Sequence, residues 1–402
     1  MSKVGMSKQS LLFDCLLRFW SPSSNAFLFS WGPMSSTLYD IYLFTGLPLI
    51  GHDSPYLIDD SSAPELAAPR YCFPSCRAVV KQYESCSGEP STIEHIMFLW
   101  VLICQYIFCP ISGKPSTEYL PLACSLRTGR VYNLGAMLLG SFYKGMNSCV
   151  VNNPQSRLGG VAWFLQLWAA AYFSQLFSFP DSSAPLTTIT LMQGRFDLFD
   201  VEFTVFLQAK YFSDLTPPSK PHTGSFSQPW ITAHPLFRDE SKELILDILF
   251  TACVHHRFLI VDCVGGRPSA VARANVGWTF EFYNPALFAR QFGLSQIVPH
   301  SVLFYPSDLS HLYSEIDDGR LSRATVDLFS ALPSHFRSPI RVCTSEEANP
   351  FPAWWASRRT VLAPAFNHPS GILYHLFTLL ATLLVLILSC PCSQEQEVCC
   401  SC

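Results

Sequence analysis

Charge is what this chain has least of. Only 14% of its 402 residues are Asp, Glu, Lys or Arg, and 30 acids against 26 bases leave a net charge of -4. No excess of positive charge is present, which excludes a broad electrostatic grip on nucleic acid and leaves direct nucleic-acid contact to a local basic groove. The amino terminus, MSKVGMSKQS, lacks the charged, apolar and small-residue regions of a secretory signal. The 16 cysteines would read as a disulfide framework in a small secreted protein; without such a signal they read as thiols in a reducing compartment. A repeat of fixed period is also missing, which excludes a solenoid or a propeller.

What is abundant is apolar and aromatic surface. With 49% hydrophobic residues, 32 Phe and 9 Trp, the chain is long enough for one large domain or two ordinary ones, with a core shaped by rings. One apolar run stands apart: Ile372–Ser389 approaches the ~20 residues of a membrane-spanning helix. Arg358 and Arg359 before it and Glu395 and Glu397 after it would keep the bulk of the protein cytosolic. The run is either a tail anchor or an end that never meets a bilayer. In the first case Cys390 and Cys392 are candidates for lipidation.

The stretch that organises the rest is Asn25–Gly51. It reads as an aromatic strand through Phe27 and Phe29, a turn at Trp31-Gly32-Pro33, and a polar start at Ser35-Ser36-Thr37 opening a helix that Gly46 and Pro48 stop. Ahead of it Leu11–Trp20 is a short buried helix. Residues 51–90 form a Pro- and Ser-rich loop carrying a short helix at Cys76–Tyr83. Ser91-Thr92-Ile93-Glu94 is a capping box opening a helix over Ile93–Phe108, whose apolar circumference predicts burial on all sides. Further helices are expected at Tyr119–Arg127, Asn133–Lys144 with Gly145 as its stop, and Val161–Phe177.

Beyond the linker Pro180–Pro185, Phe196–Phe206 reads as strand or helix, and Pro217–Pro229 as a loop before the second half. A helix from Ser241 through Thr251 and a buried strand over His255–Val264 follow. Asn284-Pro285 is an N-cap and first-turn proline opening an amphipathic helix within Tyr283–Pro299, ended by Gly293. Two more helices are expected at Ser307–Asp317 and Ser322–Leu332, and an aromatic clamp at Phe351–Arg359. The fold class is therefore mainly α, a large multi-helix fold with a few short strands or hairpins. Residues 8–366 form the domain, with lobes at about 8–180 and 225–366, and 367–402 is an apolar, Cys-rich tail.

Four segments together resemble the plant mobile domain, also called the aminotransferase-like plant mobile domain. They are FLFSWGPMSSTLYDIYLFTGLPLIG at Phe27–Gly51, EYLPLACSLRTGRVYNLGAMLLGSFYKG at Glu118–Gly145, GGVAWFLQLWAAAYF at Gly159–Phe173, and YNPALFARQFGLSQIVP at Tyr283–Pro299. Their order and spacing match the family, and the likeness runs from about Lys8 to Phe366. The resemblance implies a mainly helical fold, a domain spread by plant transposable elements, and kinship with maintenance-of-meristems-like nuclear proteins. It further implies roles in transposon silencing, gene-expression control and meristem upkeep, and some relatives carry the domain beside a serine/threonine phosphatase. The chain departs from the pattern in Ser30-Trp31-Gly32-Pro33, where members often have a Phe-Gly-Glu turn, in a short amino terminus, and in its apolar tail.

Pyridoxal phosphate chemistry needs a lysine in an anion-binding cradle, and Lys81, Lys114, Lys144, Lys210, Lys220 and Lys242 lack a Gly/Ser-rich setting beside a strand. Asp197, Asp200 and Glu202 would suit a metal-dependent nuclease, yet their spacing cannot put all three on one face. Cys72, Cys76 and Cys86, with His95 nearest, lack the paired CxxC of a zinc site. His255 and His256 beside Asp262 and Cys263 point opposite ways on a strand. No catalytic, cofactor-binding or metal residue is assigned, no cofactor is expected, and the chain reads as a non-enzyme. Arg127, Arg130, Lys144, Arg290 and Gln291 flank the second and fourth motifs; if they converge they form a binding groove for phosphate or an acidic peptide. The expected role is a nuclear interaction protein working through protein partners in a silencing or phosphatase-like complex, with a membrane-tethered form or a transposase-derived nuclease or hydrolase as alternatives.

Overall fold

The computed structural model describes residues 9–22, 24–29, 31–52, 73–83, 88–108, 114–151, 162–179, 193, 195–196, 253, 257–264, 277–292, 296, 298, 311–315 and 350–362. Of these, 62% are helical, in eight α-helices with few strands, so the fold is mainly α as expected. The chain opens with α1 (Ser10–Leu17) and a three-stranded antiparallel sheet, β1 (Trp20–Ser21), β2 (Ala26–Phe29) and β3 (Gly32–Met34). Gly32 and Pro33 belong to β3, paired with Phe29 and Leu28, so they extend a hairpin and do not themselves form its turn.

Helix α2 (Leu38–Thr45) starts at the expected polar cluster. Thr37 is its N-cap, with a reciprocal capping box to Asp40, and Gly46 closes it in the left-handed conformation at φ 68°. Downstream, Gly51 has φ +132°, and a Cβ there would meet the Val131 carbonyl oxygen at 2.6 Å. This close approach is needed because His52 bonds to both sides of Tyr132, through Val131 O and Asn133 N. Gly51→Ala is expected to lower stability by about 1–3 kcal/mol, read as a lower urea midpoint.

Helix α3 (Cys76–Tyr83) and α4 (Thr92–Leu102) follow, the latter capped by the Ser91/Glu94 box that the sequence announced. α4 passes into a π-helical turn at Ile103–Ile107. It is not buried on all sides: Phe98 is 61% and Ile93 39% exposed. An apolar circumference fixes burial only where neighbours exist, and here α5 (Leu120–Arg127) covers one side. Helix α6 (Leu134–Val151) runs straight through Gly145. The glycine costs about 1 kcal/mol in mid-helix, and the turn beyond it buries Met146, Asn147 and Cys149, which outweighs that cost.

Helix α7 (Ala162–Tyr172) is shorter than its pattern suggested, because the chain turns at Phe173 into a 3-10 turn and the strand β4 (Phe177–Ser178), paired with β5 (Arg195–Phe196). The opening segment packs on α7 as its aromatic content predicts. Phe27 stacks on Trp168 with ring centroids 5.0 Å apart, Phe29 meets Phe173 edge-on at 5.6 Å, and Phe44 lies against Phe164 at 6.3 Å.

The later residues form an antiparallel sheet in the order β6 (Arg257–Val264), β7 (Gly277–Tyr283), β8 (His311–Glu315). His311–Glu315, expected within a helix, is instead a strand whose ladder to β7 supplies the backbone partners. Tyr283 ends β7, and the amphipathic helix expected after it is a 3-10 stretch, Pro285–Phe292, broken at Phe288 (φ -130°). The kink lets Leu287 and Phe288 both reach the core that holds Phe27 and Trp168. Helix α8 (Phe351–Leu362) docks by Trp355, whose Nε1 donates to Phe29 O at 3.0 Å. The helices expected at 241–251 and 322–332, the stretch 197–206 and the tail 367–402 lie outside the described residues.

Candidate functional site

The polar residues that this fold gathers lie inside it, along the seam between the opening segment and the residues of β7 and the 3-10 stretch after it. Asn25 is held at φ 49°, a left-handed conformation that asparagine tolerates better than most residues. Its side chain donates to Glu281 Oε2 at 3.1 Å and to Phe282 O at 3.1 Å. From α6, Asn147 donates to Asn25 Oδ1 at 2.8 Å and to Glu281 Oε2 at 3.0 Å, while accepting from Trp20 Nε1 at 2.7 Å. Asn25, Asn147 and Glu281 are 2–3% exposed, so each donor and acceptor depends on the others instead of on water.

A second string of bonds runs beside the first. Ser35 N donates to Gln291 Oε1 at 2.8 Å and Gln291 Nε2 donates back to Ser35 O at 2.7 Å, a pairing that fixes which way the amide faces. The same Nε2 reaches Tyr172 OH at 3.1 Å, and Tyr172 OH donates to Asp40 Oδ1 at 2.8 Å. Thr37 supplies its N–H at 2.8 Å and its hydroxyl at 2.9 Å to Asp40 Oδ2. Ser35 Oγ donates to Asn25 O at 2.6 Å, and Tyr143 OH donates to Ser36 O at 2.8 Å, joining the two strings.

Electrostatics follow from burial. Asp40 is wholly enclosed, and loss of water pushes its carboxyl from 3.8 up to about 6 against the donors of Thr37 and Tyr172. Trp168 lies close enough to favour the carboxylate, but its Nε1 falls outside hydrogen-bonding geometry. Burial likewise pushes the phenols of Tyr143 and Tyr172 well up, with Asp40 adding to both. Because Asp40 binds a proton more tightly folded than unfolded, its contribution to stability is full below about pH 4 and lost as pH rises through about 6. A shift of about two units corresponds to about 3 kcal/mol. Urea unfolding of the wild type against Asp40→Asn should show the wild type losing about that much between pH 4 and 7 while the variant stays flat.

Of the groove candidates, Arg127 is exposed and its Nη2 donates to Thr92 Oγ1 at 2.8 Å, tying the end of α5 to the start of α4. Arg130 is exposed in the following turn, and Lys144 is half-buried on α6. Gln291 is 5% exposed and is engaged with Ser35 and Tyr172. The Arg290 side chain, Asp197, Asp200, Glu202, Cys72, Cys86, His255, His256, Cys390 and Cys392 lie outside the described residues.

Among the described residues no cluster of three His, Cys, Asp or Glu could hold a metal, and no helix is long and apolar enough to cross a membrane. The run 372–389 is outside that set. Cys15 and Cys104 are buried, and burial pushes both thiols up to about 12. Reading the sequence missed Asn147, Tyr172 and Glu281. The available signal was a single amide or acid set in an otherwise apolar or aromatic stretch, as in WTFEFY.

The family model for the plant mobile domain matches residues 1–198. Three of the four resembling segments fall within that match, and Tyr283–Pro299 lies beyond it. Searches of curated proteins and of solved structures each give no match.

Proposed function

We propose, from the match of residues 1–198 to the plant mobile domain, that this chain is a non-enzymatic interaction protein of transposon-derived type. It would act in the nucleus, in transposable-element silencing, gene-expression control and development, through protein partners in a silencing or phosphatase-like complex. Kinship with aminotransferase-like and maintenance-of-meristems proteins is part of this reading. The observation that carries it is the placement of the polar residues in the signature segment. Asn25, Ser35, Thr37 and Asp40 are enclosed and engaged with one another and with Asn147, Tyr172, Glu281 and Gln291, which supports a scaffold whose outer surface does the work.

Affinity capture of the tagged full chain from plant nuclei, with quantitative mass spectrometry, tests the reading. Enrichment of chromatin-silencing or phosphatase components over a tag control is the expected result. A protein that stays out of the nucleus, or that enriches none of these, contradicts it. A fluorescent reporter fused to residues 371–402 tests the membrane-tethered form, for which the expected signal is membrane-bound and not diffuse.

A further inference from the structure

The end of α5 is turned outward. Gly129, at φ 83°, donates its N–H to Leu126 O at 3.0 Å, and the Arg130 N–H donates to Ser125 O at 3.4 Å, so the helix is closed by the paired bonds that a left-handed glycine permits. An apolar residue frequently follows such a glycine and folds back on the helix; here the residue is Arg130, and it is exposed. A Cβ on Gly129 would meet nothing within 4 Å, so the turn projects into solvent. Val131 beyond it is 57% exposed, while Tyr132 is buried with its hydroxyl 2.8 Å from Ser125 Oγ. The segment ending at His52 runs alongside, its N–H donating to Val131 O, and Gly51 lays no side chain over that backbone. Ile50, one residue earlier, is 50% exposed. Arg127, the last residue of α5, reaches Thr92 Oγ1 on α4 beside the exposed Ile93.

Three exposed aliphatic side chains and two guanidinium groups are thereby brought to one end of the α4/α5 pair. Among the described residues neither arginine is paired with an acid, and Glu94 of α4 is engaged with the Ser91 amide. A single exposed apolar residue is ordinary, whereas several together beside charge mark a place where another molecule sits. We propose that Ile50, Ile93, Arg127, Arg130 and Val131 form a docking surface for an acidic segment of a partner protein, one in which Asp or Glu is interleaved with aliphatic side chains. Its carboxylates meet the planar guanidinium forks, and its aliphatic groups cover Ile50, Ile93 and Val131. The inference rests on the reading that the outer surface of the domain meets protein partners, and it names where. Charge and shape favour a protein over nucleic acid. The chain carries a net charge of -4, which opposes a polyanion, and the surface offers aliphatic groups where a single strand needs rings to stack on. Gln291, enclosed against Ser35 and Tyr172, has no part in it.

A displayed library of random peptides panned on the full chain tests the surface, with the enriched peptides then measured by fluorescence anisotropy against the wild type and the double variant Arg130→Glu, Val131→Asp. Both positions are exposed, so the variant should keep the wild-type urea midpoint; if it does not, Arg130→Gln alone takes its place. Enriched peptides should interleave Asp or Glu with Leu, Ile or Phe, bind at least about tenfold more weakly to the double variant, and weaken as salt is added. Enrichment without that composition, or binding indifferent to the substitutions, overturns the proposal. Mixed-sequence single-stranded DNA that binds the wild type and not the variant overturns it in favour of nucleic acid, and wild-type self-association in sedimentation that the variant lacks overturns it in favour of a second copy. In capture from nuclei, silencing or phosphatase components held by the wild type and lost from the double variant support the surface. Equal recovery by both overturns it and leaves the interaction reading standing. A wild type that recovers none contradicts that reading, and the peptide measurement still decides the surface.

Discussion

Asn147→Ala is expected to lower the unfolding free energy by about 3–5 kcal/mol. The side chain has three partners, and truncation takes a bond from each: Trp20 Nε1 loses its acceptor, Asn25 Oδ1 loses a donor, and Glu281 Oε2 loses the Asn147 amide while keeping that of Asn25. Each of these groups is enclosed, so water does not replace the missing bond. Urea denaturation followed by tryptophan fluorescence measures the effect. Trp20→Phe, which removes one donor and keeps most of the ring packing, should cost only about 1–2 kcal/mol. A loss under 1 kcal/mol for Asn147→Ala would mean that the seam tolerates hydration.

Trp355→Ala should cost about as much, roughly 3–5 kcal/mol, by a different mechanism. Trp355 is 2% exposed and packs with Ala26, Leu28 and Phe351 in a small cluster behind the first sheet. Its ring stacks on Phe351 with an interplanar angle of 8°, and its Nε1 closes the Phe29 carbonyl. Alanine leaves a cavity and removes the Trp355 donor from the Phe29 carbonyl, on the strand whose other face carries Phe27 and Phe29 into the main core. Trp355→Phe keeps part of the ring volume and loses the hydrogen bond, and should fall between wild type and alanine. If residues 350–362 contribute nothing to the fold, both variants will unfold with the wild type.

Local signals in the sequence were legible where the chain's own neighbours decide the outcome. Ser91 with Glu94 capped α4, and Gly46 closed α2 in the left-handed region. Expectations failed where distant residues decide. Gly145 reads as a stop by propensity, but burial of Met146, Asn147 and Cys149 carries α6 through it. His311–Glu315 has no pattern that marks it as a strand until β7 lies beside it. Asn284-Pro285 gave a true start signal, yet docking of both Leu287 and Phe288 into the core requires a break that an amphipathic helix lacks.

The seam was the least legible part. Its bonds join residues such as Asn25 and Glu281 that are 256 positions apart, and each member alone looks like an ordinary polar residue. Thr37 was legible as part of the polar start of α2, but Asp40, three residues on at capping-box spacing and bonded to Tyr172 as well, was not singled out.

The opening segment Asn25–Gly51 is a structural seam whose far side is supplied from beyond residue 198, by Glu281, Gln291 and Trp355. Residues 1–198 expressed alone and compared with the full chain in urea denaturation test it most directly. The fragment is expected to lack a cooperative transition and to bind a hydrophobic dye, because the core that Tyr283, Leu287 and Phe288 complete is open. A fragment that unfolds cooperatively at the full chain's midpoint would contradict it.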